Sequence, residues 1–88
     1  VSVRVRIPTP LRSYTGGLAE VNADGTTVGE VLRDLDRRHP GLAFRVVDEQ
    51  GRLRQHMVVF LGQDRCRDLA ASVVGVDELV LMQALSGG

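Results

Sequence analysis

Along the first seven residues apolar and polar positions alternate, Val1, Val3, Val5 and Ile7 being separated by Ser2, Arg4 and Arg6. A period of two predicts a strand with one buried face. Pro8 and Pro10 end it, because proline cannot donate to a sheet ladder, and Thr9 to Gly17 reads as a loop. Leu18 to Ala23 resumes a weaker strand, placed to be the hairpin partner of the first, and Asp24-Gly25 is a turn signal. The period then changes. Val28, Val31, Leu32 and Leu35 fall at i, i+3, i+4 and i+7, the apolar stripe of a helix. Thr27 with Glu30 forms a capping box, in which hydroxyl and carboxylate serve backbone N–H groups that the first turn leaves unpaired. His39-Pro40-Gly41 stops the helix. Gly29, inside the first turn, implies a close approach to the sheet.

Further on, Leu42 to Val47 suits a short helical turn, Asp48 to Gly51 a turn and Arg52 to Gln55 a short edge strand. Met57-Val58-Val59-Phe60-Leu61 is a strong strand closed by Gly62-Gln63-Asp64, and Leu69 to Val76 is irregular. Leu79 to Gln83 is the final strand. Strand, strand, helix, strands is the order of an α+β domain, with one main helix on one face of a mixed sheet. Residues 1–83 make the domain, and 84–88 a flexible C-terminal tail.

Two of these strands are apolar in both parities. With Met57, Val59, Leu61, Leu79 and Leu81 turned to the helix, Val58, Phe60, Val80 and Met82 face away from it. Three covers fit such a face: a loop folded over it, a second copy of the chain, or a docked partner. Exposed apolar clusters tend to mark partner surfaces, so these four residues are the candidate docking patch.

Composition narrows the chemistry. Lys plus Arg balance Asp plus Glu at zero net charge over 88 residues, so no global field favours nucleic acid or an anionic membrane. One cysteine, Cys66, cannot make an internal disulfide, and no apolar run approaches membrane-spanning length; a reducing cytoplasm is the expected setting. Cys66 is an isolated cysteine, more often a small buried or incidental residue, and His39 and His56 lack metal-ligand spacing to each other or to it, so neither a sulfur relay through Cys66 nor a metal site is expected. Asp34 and Asp36, two apart on a helix, do not share a face and are no acid–base pair. Arg37-Arg38 reads as a solvated helix end, and Gly16-Gly17 as a turn without the helix a phosphate cradle needs. No pocket chemistry emerges.

The end of the chain offers chemistry instead. Leu85-Ser86-Gly87-Gly88 closes on a glycine pair. Glycine is costly to order, and without Cβ atoms such a tail can thread a narrow channel in a partner. The terminal carboxylate of Gly88 is then the reactive group, with Gly87, Ser86 and Leu85 recognised along the way.

The element order, the strand Met57 to Leu61 with its turn, Asp77-Glu78-Leu79-Val80-Leu81 and the terminal Leu85-Ser86-Gly87-Gly88 resemble the ubiquitin-like β-grasp sulfur carriers of the ThiS/MoaD family. Ile7-Pro8-Thr9-Pro10-Leu11-Arg12 and Thr15-Gly16-Gly17 look most like its CysO-type branch. The resemblance implies a non-enzymatic sulfur donor that binds no cofactor of its own. An E1-like adenylyltransferase that uses ATP would activate the Gly88 carboxylate as an acyl-adenylate, and a sulfur nucleophile would displace AMP to leave a thiocarboxylate. A biosynthetic enzyme would accept the sulfur, in a pathway of cysteine, thiosugar, thiamin or molybdopterin type, and a metallopeptidase is a further candidate partner. A ubiquitin-like protein modifier, the small subunit of a molybdopterin synthase, and a binding module with an incidental glycine pair are the alternatives.

Overall fold

A computed structural model describes residues 2–84. Its five strands are β1 (Ser2–Arg6), β2 (Glu20–Asp24), β3 (Met57–Leu61), β4 (Asp64–Cys66) and β5 (Glu78–Gln83), and its α-helices are α1 (Val28–Arg38) and α2 (Leu42–Val46). They form one sheet in the order β2-β1-β5-β3-β4. β1 and β5, the first and last strands of the chain, lie side by side in parallel at its centre, and the other pairings are antiparallel. With α1 across one face, this is the β-grasp arrangement.

The period of two in β1 is realised as alternating exposed and buried residues, Val3 and Val5 inward, Arg4 and Arg6 outward. The helix stripe is buried throughout: Val28, Val31, Leu32 and Leu35 join Val3, Val5, Val59, Leu79 and Leu81 in one core, each no more than 2% exposed. Completely burying one such side chain stabilises by about 1.5–3 kcal/mol, so this stripe is what fastens α1 to the sheet.

The start of α1 refines the capping box. The Thr27 hydroxyl accepts from the Glu30 N–H at 3.2 Å, but the Glu30 carboxylate reaches one residue further back, accepting from the Thr26 N–H at 2.8 Å and its hydroxyl at 2.7 Å. These bonds, Thr26's first among them, lower the Glu30 pKa. Gly25 owes its place to crowding: a Cβ there would lie 2.7 Å from the Val31 nitrogen. Gly41, at φ 94°, turns the chain from α1 into α2, its N–H donating to Asp36 at 3.0 Å.

Several expectations need correction. Thr9 to Thr15 is a 3-10 helix, not a loop. Two contacts hold it down: Leu11 and Thr15 are buried, and the Thr15 hydroxyl donates to the Leu18 carbonyl at 2.8 Å. Gly29 does approach something closely, but it is the Leu69 carbonyl in the loop after β4, which its N–H meets at 2.8 Å, rather than the sheet. Arg52 to Gln55 forms no strand; Leu53 makes one isolated bridge with Val47. The residues after Gly62 turn back as β4, an edge strand too short and polar to show a period. Nor is Arg37-Arg38 merely solvated. Arg38 bonds Asp34 at 2.8 Å and Asp24 at 3.1 Å, tying the helix end to β2, and Arg37 pairs with Asp34.

Candidate functional site

The two central antiparallel strands set the site. β3 pairs with β5 so that Val58 faces Met82 and Phe60 faces Val80. The four candidate docking residues are thus two adjacent cross-strand pairs, the contact unit of a sheet face. Their strand neighbours Met57, Val59, Leu79 and Leu81 are buried, Val58, Phe60 and Val80 are half-buried, and Met82 is 49% exposed. Leu61, assigned to the inner side, is only half-buried.

One transverse row runs across the whole outer face. Glu20 pairs with Arg6, Arg6 with Val80, Val80 with Phe60 and Phe60 with Arg65. Its centre is apolar and its ends are charged. On the β1 side Arg4 and Arg6 stand between Glu20 and Glu78, at 3.7 Å from each for Arg4 and at 3.8 and 3.4 Å for Arg6. Each such exposed pair is worth about 0–1 kcal/mol, so this network orients charge at the rim more than it holds the fold. The Val58–Met82 pair is the next step along β5 towards its C-terminal end. Sequence reading missed this rim: Arg4 and Arg6 were visibly outward, but their partners depend on a register that periodicity does not supply.

At that end of β5 the Ala84 N–H donates to the His56 carbonyl at 2.7 Å, fastening the last described residue to the start of β3. Beside it lies a cleft of about 260 Å³, walled by Leu11, Tyr14, Arg45, His56 and Gln83. Arg45 donates from Nε to the Tyr14 hydroxyl at 2.8 Å and stands 5.9 Å from the ring centre. Leu85, Ser86, Gly87 and Gly88, the remaining candidate site residues, lie outside the described residues.

Other candidates have local roles. Asp34 accepts from Arg37, from the Asp24 N–H at 2.8 Å and from Arg38, and these contacts, the Arg37 bond foremost, hold its carboxyl well below the usual carboxylate range. Asp36 accepts from the Gly41 and Ala43 N–H groups. Cys66 packs against the core, its thiol directed to the Asp68 carbonyl at 3.4 Å. Among the described residues no group of three or more His, Cys, Asp or Glu side chains could hold a metal ion, and no helix is long and apolar enough to cross a membrane.

The ThiS family profile matches residues 5–88. This chain belongs to the ThiS family. It is 32% identical over its whole length to the sulfur carrier protein CysO of Mycobacterium bovis and of Mycobacterium tuberculosis, and covers those proteins completely. Its fold overlays that of CysO in the Amycolatopsis orientalis BexX/CysO complex with a TM-score of 0.89 at 38% identity, covering 98% of this chain and 99% of that one. The crystal structure of Mycobacterium tuberculosis CysO gives 0.88 at 32% identity, over 94% and 99%. SAMP1 from Haloferax volcanii gives 0.79 at 28% identity, over the full length of both. As a ThiS-family protein the chain has the ubiquitin-like β-grasp fold, and the CysO resemblance extends from sequence to backbone.

Proposed function

We propose that this sulfur carrier works through the carboxylate of Gly88 and docks on its partners by the outer face of β3 and β5. The observation that carries the reading is the full-length match to CysO sulfur carriers, with a family match that runs on to residue 88. A carboxylate is a poor electrophile at neutral pH. An E1-like enzyme overcomes this by adenylation: a Gly88 carboxylate oxygen attacks the α-phosphorus of ATP and pyrophosphate leaves. A sulfur nucleophile then attacks the acyl carbon, AMP departs, and a thiocarboxylate remains at the terminus. ATP belongs to the activating enzyme, and the carrier needs no cofactor. Its own contribution is recognition and reach, so it is a co-substrate and not a catalyst.

Val58, Phe60, Val80 and Met82 suit the docking role because they put apolar surface on the strand that leads to the C-terminus and on its neighbour. The Arg4, Arg6, Glu20 and Glu78 rim gives a partner charge to register against, which favours orientation and association rate. A protein like BexX, which is in complex with the Amycolatopsis CysO, is one kind of partner such a face would serve. A reducing cytoplasm suits a thiocarboxylate. The SAMP1 likeness favours a second reading, in which the activated terminus is transferred to an amine of another protein.

Intact mass spectrometry after incubation with an E1-like adenylyltransferase, ATP and a sulfur donor separates the two. The carrier reading expects one oxygen replaced by sulfur at the C-terminus of the free chain. Attachment to lysines of other proteins, without that exchange, would favour the modifier reading.

A further inference from the structure

An acyl donor has to live with its own nucleophiles, and this chain has few. All eleven of its Lys-or-Arg positions are arginine, so no side chain carries a primary amine. Lysine can release a proton and attack an acyl carbon, whereas a guanidinium with pKa above about 12 stays charged and has no free lone pair to offer.

Geometry explains part of this preference. Arg38 bridges two aspartates, Arg54 donates to the Phe44 carbonyl while standing over its ring, and Arg67 donates to the carbonyls of Met57 and Leu53 from two different nitrogens. A lysine cannot reproduce those forks. Arg33, Arg52 and Arg65 are different: all are exposed, and among the described residues their side chains make no hydrogen bond or ion pair. The fold would accept lysine there.

The one thiol among the side chains is partly withdrawn by position. Cys66 is paired with the inward-facing Val59 at the sheet edge, packs against the core and points its thiol at the Asp68 carbonyl. Arg45 shares a cleft with Gln83, near the root of the tail. From Gln83 to the carboxyl of Gly88 an extended chain reaches roughly 17 Å at 3.3–3.6 Å per residue, enough to turn back into that cleft.

We propose that this carrier is inert to its own activated terminus: arginine in place of lysine, and a single thiol that is partly buried and packed against the core, keep the Gly88 acyl group from being captured by its own surface. The same absence means that side chains cannot string one carrier onto another, so an amide link between copies could run only through an α-amino group. The inference rests on the reading that Gly88 is the acylating residue. The reaction excluded is aminolysis, in which an amine nitrogen bonds to the Gly88 acyl carbon, the bond to the leaving group breaks and the amine proton passes to solvent.

The test needs no activating enzyme, which keeps its outcome separate from that of the activation step. The full chain is prepared as its C-terminal thioester, as wild type, Arg45→Lys and Arg45→Gln, with folding checked by circular dichroism, and held at mildly alkaline pH. Wild type and Arg45→Gln should decay only by hydrolysis. Arg45→Lys should lose thioester several-fold faster and accumulate a monomer one water lighter than the hydrolysed chain, stable to hydroxylamine and cross-linked at position 45. Any amide-linked product from wild type, whichever amine it uses, would overturn the proposal. So would Arg45→Lys decaying by hydrolysis alone.

Discussion

Leu79 and Val80 are consecutive residues of β5 and face opposite environments. Leu79 is fully buried beneath α1 with Val5 and Leu61 as its cross-strand neighbours, while Val80 lies half-buried between Arg6 and Phe60. The same contrast holds for Val59 and Phe60 on β3. Both sides of these strands are apolar, yet among the described residues only one is fully covered. The inner side explains why the domain folds; the outer side has no such explanation within the domain. On the proposed function it is the side that partners read.

The largest effect should come from emptying the inner side. Leu79→Ala or Leu32→Ala leaves a cavity under α1 and should cost about 2–5 kcal/mol in denaturant unfolding, a large share of a small domain's stability. Val80→Ala, one residue away, should cost less than about 1 kcal/mol. Equal losses would erase the distinction between the faces.

Phe60→Asp should do the reverse. The fold should survive, as read by circular dichroism, while affinity for the activating partner in a titration falls at least about tenfold, as for an aromatic anchor at the centre of an interface. Unfolding of this variant would make Phe60 a core residue.

Loss of the charged rim should be milder. Arg6→Ala should leave stability within about 1 kcal/mol of wild type, and slow association with the partner in low salt more than in high salt. An unchanged salt dependence would remove the rim from the docking account.

The smallest effect concerns Asp34, which belongs to neither face. Its pKa is depressed in the folded state, chiefly by Arg37, so its contribution is present above the unfolded value of about 4 and fades as pH falls towards the folded one. Asp34→Asn should therefore be less stable than wild type near neutrality, with the gap closing below about pH 4. A gap independent of pH in acid melts would contradict that assignment.

Which parts of this were legible in the sequence follows from how far apart the determining residues lie. The stripe Val28, Val31, Leu32, Leu35 and the alternation Val3, Val5 are local patterns, and the two-parity apolarity of β3 and β5 was enough to single out Val58, Phe60, Val80 and Met82. The 3-10 helix at Thr9–Thr15 was hidden because what holds it is the burial of Leu11 and Thr15, which no local period announces, while its prolines and small polar residues read as a loop. β4 was hidden because three residues, Asp64-Arg65-Cys66, are too few to show a period, and their strand character is conferred by pairing with β3. Gly29 announced a close approach, but the expected partner was the sheet, since the actual one, Leu69, is far along the chain. Gly25 was read as turn chemistry, whereas what excludes a side chain there is the first turn of α1.

The central claim, that the Gly88 carboxylate is the activated group, is met most directly by ATP–pyrophosphate exchange with the cognate adenylyltransferase, measured for wild type, a Gly88 deletion and Gly87→Val. The buried core is contained between Val3 and Leu81, so both variants should melt within a degree or two of wild type. Deletion draws the carboxylate back by about 3.3–3.6 Å, out of the 3–3.5 Å range at which reacting atoms must meet, and the branched side chain of the second variant obstructs a channel shaped for bare backbone. Exchange should collapse in both. Equal exchange in all three proteins would mean that the glycine pair takes no part in activation, and the carrier mechanism set out above would be wrong.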